Sequence, residues 1–215
     1  MTHHIARQSY PLMHFVIRFG TLAVTLTALI LAMTSTAAMT AVNITPALFA
    51  DIEKATHFNE GATKPRSTLY VFIDPNCLYC HLVWKSVQPY EKAGLQVKWI
   101  PVAFQKPSST GRAAAILQAR DPVAALRENE IRYKHKSYDG GIKPLDKIRP
   151  EVGKALEANL ALMEKTGAPG TPLLVWKNAS GSIEYRNGVP RLSELPLITG
   201  LPMQKIDDPE LAEFR

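Results

Sequence analysis

Leu69-Tyr70-Val71-Phe72-Ile73-Asp74-Pro75-Asn76-Cys77-Leu78-Tyr79-Cys80 runs an apolar segment straight into the chain's only two cysteines. Leu69 to Ile73 is aromatic and β-branched, which reads as a buried strand. Asp74-Pro75 ends it, because proline cannot continue a ladder and Asp-Pro favours a turn. A disulfide between Cys77 and Cys80 would close a loop with only two residues between its ends. Loop-closure entropy grows with loop length, so this bridge would restrain the unfolded chain little. A structural staple would be placed elsewhere; a pair that opens and closes during turnover looks like this one.

A strand, a short turn and a C-x-x-C pair opening a helix is the layout of a thioredoxin-type redox site. At a helix N-terminus the first N–H groups are unpaired and the dipole is positive, which favours a thiolate. Cys77 is therefore the expected exposed nucleophile and Cys80, one turn on and facing inward, the resolving thiol. Asp74 is either a proton acceptor for that thiol or a turn-forming residue. His81 either helps hold a thiolate or is an exposed first-turn residue. Leu78 and Tyr79 are expected to tune the site and contact substrate.

Cys77-Leu78-Tyr79-Cys80-His81 is also C-x-x-C-H, the c-type haem attachment motif, with Met163 or Met203 as a formal axial candidate. The upstream strand and the α/β element order favour the redox reading, and Met163 falls on an apolar helical stripe. A zinc half-site at the cysteines would need two more ligands, and there is no second cysteine pair. The expected cofactor set is the redox-active disulfide alone, with no metal.

The chain has 215 residues, 46% hydrophobic and 20% charged, a globular composition. Residues 1–38 hold no acid and only Arg7 and Arg18 as bases, and Phe19 to Met33 is an uncharged apolar run followed by small residues. This reads as a secretory signal peptide cleaved after Ala38 or Ala41, with Met1 or Met13 as start; its apolar core is short of the roughly 20 residues a spanning helix needs. Without Arg7 and Arg18 the exported chain keeps +4 of the formal +6 charge. That mild excess forms no basic run with interleaved aromatics, so no nucleic-acid partner is expected. Export places the cysteines in an oxidising compartment.

Along the rest of the chain, Pro46 to His57 reads as an amphipathic helix with Leu48, Ile52 and Ala55 on one face, and Asn59 to Ser67 as a polar linker. A helix runs from Cys77 to about Ala93 with Pro89 inside it, and Gln96 to Phe104 is a second strand, with Pro101 at an edge or irregular end. Pro107 to Tyr133 is helical in two pieces, Lys134 to Arg149 is a loop, and Pro150 to Thr166 is a helix closed by Gly167. Leu173 to Trp176 and Ser182 to Arg186 form a hairpin, Leu192 to Ile198 a last helix, and Leu201 to Arg215 a loose tail. The order predicts an α/β fold with a central mixed sheet flanked by helices. Gly170-Thr171-Pro172 before the hairpin is a candidate cis-proline loop, where the Thr171 backbone would pair with a substrate chain.

Tyr70 to Cys80, Ala113-Ala114-Ala115-Ile116-Leu117 with Asp121-Pro122, Gly170-Thr171-Pro172 and Gly188-Val189-Pro190 together resemble the periplasmic Dsb proteins of the DsbG/DsbC branch. The resemblance runs from about Pro46 to Gly200. It implies a thioredoxin-like domain over residues 68–200 with a helical insertion at about 107–166, after an N-terminal segment at 39–67 and before a tail at 201–215. It implies Cys77 as attacking cysteine, Cys80 as resolving cysteine and Thr171-Pro172 as the cis-proline pair. It further implies a disulfide reductase or isomerase acting on exported proteins and recharged by a DsbD-like membrane reductase, with a DsbA-like oxidant as the alternative. Leu78 stands where that branch has Pro or Gly. The segment before the first core strand reads as a linker helix without the family's dimerisation domain, so a monomer is expected.

Overall fold

The computed structural model describes residues 42–215; the signal-peptide reading of residues 1–38 and the choice of start lie outside the described residues. In chain order the elements are α1 (Pro46–Lys54), β1 (Phe58–Gly61), β2 (Ser67–Ile73), α2 (Leu78–Lys92), β3 (Leu95–Pro101), α3 (Ser109–Gln118), α4 (Pro122–Ile131), α5 (Pro150–Lys165), β4 (Leu173–Lys177), β5 (Ile183–Asn187) and α6 (Leu195–Thr199). Short 3-10 turns occupy Leu192–Glu194 and Pro209–Phe214.

β2 organises the rest because both of its faces are apolar. Successive strand side chains point to opposite faces. Leu69, Val71 and Ile73 join one core with Val83 and Val87 of α2, Leu126 of α4 and Leu195 of α6. Tyr70 and Phe72 join the other with Phe49 and Ile52 of α1 and Met163 of α5. The five strands stand in the order β1-β3-β2-β4-β5. β2 and β3 are parallel, with Leu69 opposite Val97 and Ile73 opposite Pro101. The β1–β3, β2–β4 and β4–β5 pairs are antiparallel. The parallel pair needs a crossover, and α2 supplies it. Pro101 is the last residue of β3, where its missing N–H costs the ladder nothing further.

Three parts differ from the sequence reading. Residues 58–61, expected within or beside a linker, form the edge strand β1. Its polar appearance comes from Glu60, whose carboxylate is buried and accepts from Trp99 Nε1 at 2.9 Å and Arg127 Nε at 2.7 Å. Of the face expected in α1, Ile52 is buried and Ala55 packs beside it, but Phe49 takes the place expected for Leu48. Residues 201–215 are no loose tail. Leu201 and Leu211 are buried in the main core, and Lys85 of α2 pairs with Asp208 at 2.8 Å and Glu210 at 2.9 Å. The short run Leu211-Ala212-Glu213-Phe214 is too brief to carry a periodic signal, which is why the burial of Leu211 was not expected.

Candidate active site

The loop between β2 and α2 is held by its own polar groups. Asp74 is 1% exposed, and each of its oxygens accepts two hydrogen bonds: Asn76 N–H and Ser109 Oγ on Oδ1, Phe104 N–H and Gln105 N–H on Oδ2. All four lie between 2.8 and 3.0 Å. Of its two expected roles, the turn-forming one is thus what the geometry displays, extended to the neighbouring loop. Asn76 donates to Ser109 Oγ at 2.9 Å, accepts from Gly140 N–H at 3.1 Å, and its carbonyl accepts from the Tyr133 hydroxyl at 2.9 Å. Asn129 donates to the Pro75 carbonyl at 3.0 Å. Gly140 is required here by space: a Cβ would stand 2.4 Å from the Pro75 carbonyl oxygen.

This frame sets Cys77 at the N-cap of α2. Its sulfur accepts the Cys80 N–H at 3.2 Å, and its thiol faces the Thr171 carbonyl at 3.4 Å. The Thr171-Pro172 peptide bond is cis, as the sequence suggested. Gln105 Nε2 donates to Thr171 Oγ1 at 3.0 Å, joining the loop after β3 to the cis-proline loop. Both cysteines are free thiols. The hydrogen bond from Cys80 holds the Cys77 thiol below its ordinary value against the opposing effect of burial, with Thr171, the Cys80 backbone and Gln105 adding to it. Burial first, then Cys77, pushes Cys80 well above its ordinary value. The two thiols are therefore poised apart, one toward thiolate and one toward thiol.

Cys77 is only 3% exposed, whereas the sequence reading made it an exposed nucleophile. Contacts from Thr171 and Gln105, both distant in sequence, bring two other loops against it. On the segments that flank it, Tyr79 is 55% exposed and Phe104 43% exposed, and Leu78 is half-buried between core and solvent. Gln105 and Phe104 were missed because nothing local marks them; only the fold brings them to the thiol.

His81 corrects a second expectation. It is 4% exposed, not a free first-turn residue. Nδ1 meets Glu130 at 2.9 Å, Nε2 meets Glu210 at 3.1 Å, and the ring stacks on Tyr133 with centroids 4.8 Å apart. A porphyrin carried on His81 would have to displace Glu210 and the C-terminal turn. Met163 is buried in the core, and Met203 accepts from the Tyr90 hydroxyl at 3.7 Å. The residues present do not fit a C-x-x-C-H haem.

A sheet of this order with a C-x-x-C pair at the head of α2, facing a cis-proline, defines a thioredoxin-like protein. The periplasmic thioredoxin-like protein of Salmonella enterica serovar Typhimurium superposes with a TM-score of 0.55 at 20% identity, covering 73% of this chain and 95% of that one. The catalytic domain of Proteus mirabilis ScsC gives 0.53 at 21%, covering 71% and 94%. No family model matches the chain. In sequence the chain is DsbG/DsbC-like. It is 34% identical over 150 residues to the thiol:disulfide interchange protein DsbG of Pseudomonas aeruginosa, covering 69% of this chain and 57% of that protein. It is 31% identical over 136 residues to DsbG of Escherichia coli, covering 61% and 52%. The chain thus spans just over half the length of the curated relatives it matches.

Proposed function

We propose that the chain is a periplasmic thiol–disulfide oxidoreductase of the reductase or isomerase type, acting on cysteines of exported proteins. The observation that carries this reading is the placing of Cys77 at the N-cap of α2, with the Cys80 N–H on its sulfur and the cis Thr171-Pro172 loop facing it. The opposed directions of the two thiols agree with it. The periplasmic placement rests on the thioredoxin-like and DsbG relatives together with the composition of residues 1–38.

The Cys77 thiolate attacks one sulfur of a substrate disulfide. A Cys77–substrate disulfide forms and the other substrate sulfur leaves as thiolate. Cys80 loses its proton and attacks the Cys77 sulfur, forming the Cys77–Cys80 disulfide and releasing the second substrate thiolate. The two electrons gained by the substrate are those lost by the pair. A substrate segment would lie along the Thr171-Pro172 loop by strand-type pairing, against Tyr79 and Phe104. Return to the dithiol needs an electron donor, for which a DsbD-like membrane reductase is the partner we infer.

The test is refolding of scrambled ribonuclease by the reduced protein. Recovery of ribonuclease activity that disappears with Cys77→Ser supports the reading. No recovery, together with rapid disulfide insertion into reduced ribonuclease by the oxidised protein, would replace it with the DsbA-like oxidant reading.

A further inference from the structure

His81 of α2, His135 in the loop after α4 and Glu210 in the C-terminal turn direct their side chains to one point. His81 Nε2 lies 3.1 Å and His135 Nε2 3.5 Å from the same oxygen, Glu210 Oε2. One ligand atom from each residue lies within 4.8 Å of the others, the grouping of this kind found among the described residues. Atoms bound to a single ion at 2.0–2.1 Å with tetrahedral angles stand about 3.4 Å apart.

The buried side of the cluster is prepared in a way that a mere ion-pair tangle does not need. Glu130, 4% exposed, holds His81 Nδ1 at 2.9 Å, and its other oxygen accepts from the Asn129 amide at 2.9 Å. With an ion on the Nε2 side, Glu130 would hold the remaining ring proton on Nδ1, the arrangement that metal-bound histidines carry. Charge also favours a cation. Asp208 and Glu210 share the single ammonium of Lys85, and Glu130 adds a third carboxylate on the far side of His81. His135 is half exposed and Glu210 is 37% exposed on their side chains, so an ion can enter from solvent while His81 stays buried. Two imidazoles and a carboxylate suit Zn2+, with a fourth position left for water.

We propose that His81 Nε2, His135 Nε2 and Glu210 Oε2 bind one Zn2+ ion, with Glu130 as the positioning residue for His81. The site uses neither cysteine sulfur and does not rest on the redox reading. Bound there, the ion would fasten the C-terminal turn to the helix that carries Cys77 and Cys80.

The experiment is a calorimetric Zn2+ titration of the full chain carrying Cys77→Ala and Cys80→Ala, so that thiolates cannot compete for metal. One equivalent is expected to bind and to raise the unfolding temperature. Glu130→Gln is expected to weaken binding about 10–100-fold, the usual cost of losing a carboxylate behind a metal-bound histidine. His135→Ala and Glu210→Gln should each weaken it at least as much and abolish the thermal shift. His135 is exposed, and an unchanged near-ultraviolet circular dichroism spectrum would show that its variant is folded. Absence of binding below millimolar Zn2+ overturns the proposal. So does binding that survives both His135→Ala and Glu210→Gln, which would place the ion on other histidines.

Discussion

Gln105 donates a 3.0 Å hydrogen bond to the Thr171 hydroxyl, tying the loop after β3 to the cis-proline loop across 66 residues of sequence. The same two side chains help hold the Cys77 thiol below its ordinary value. Gln105 is exposed, so its removal should not unfold the protein. Gln105→Ala is expected to raise the Cys77 thiol and to slow its alkylation at neutral pH severalfold. Thiolate absorbance against pH reads this directly. An unchanged titration would mean that Gln105 only bridges the loops.

Asp74→Asn tests what the buried carboxylate is for. Its oxygens accept four hydrogen bonds, and an amide nitrogen placed on either side would face donors. A loss of about 1–3 kcal/mol in urea unfolding is expected, the usual cost of a buried polar group left unmatched. If Asp74 serves only as a proton acceptor, stability will hold and only the release of mixed disulfides will slow.

Leu211 is fully buried in the main core. Leu211→Ala should therefore cost about 2–5 kcal/mol. A loose tail would tolerate the same change without effect, so equilibrium unfolding separates the two pictures.

Glu91 gives the protein a pH dependence of definite sign. Burial, then the charge of Glu60, pushes its carboxyl up to about 8, against roughly 4.3 in an unfolded chain. Between those values the native state holds the extra proton, so stability falls as pH rises through that window. Glu91→Gln removes the ionisation and is expected to flatten this decline. At pH 9 it should exceed the parent by about 1 kcal/mol or more, allowing for partial solvation of the site. Parallel stability–pH curves for parent and variant would contradict the assignment.

The C-x-x-C pair at a helix N-terminus and the cis-proline could be read from the sequence because each is announced locally. Cys77 and Cys80 carry their spacing and follow an unmistakable strand, and Thr171-Pro172 precedes another. The α/β order was also readable, since β2, α2 and α5 have clean apolar periods. What stayed hidden has no local period. Glu60 looks like a solvated linker residue until Trp99 and Arg127 close on it. His81 looks exposed until Glu130, Tyr133 and Glu210 arrive from other elements. Cys77 looks accessible until the loops bearing Gln105 and Thr171 fold over it.

The frame around Asp74-Pro75-Asn76 has a consequence for how the protein comes into being. Its hydrogen-bond partners Ser109, Asn129, Tyr133 and Gly140 lie 33 to 64 residues further along the chain. Contacts at that separation form late, because the intervening loop must close first. A chain delivered N-terminus first therefore presents both cysteines before any of these partners has emerged. During that interval the segment lacks its frame, and the contacts with Gln105 and Thr171 that help set the two thiols apart also wait on later parts of the chain. The cysteine segment thus precedes in the chain nearly everything that holds it in place.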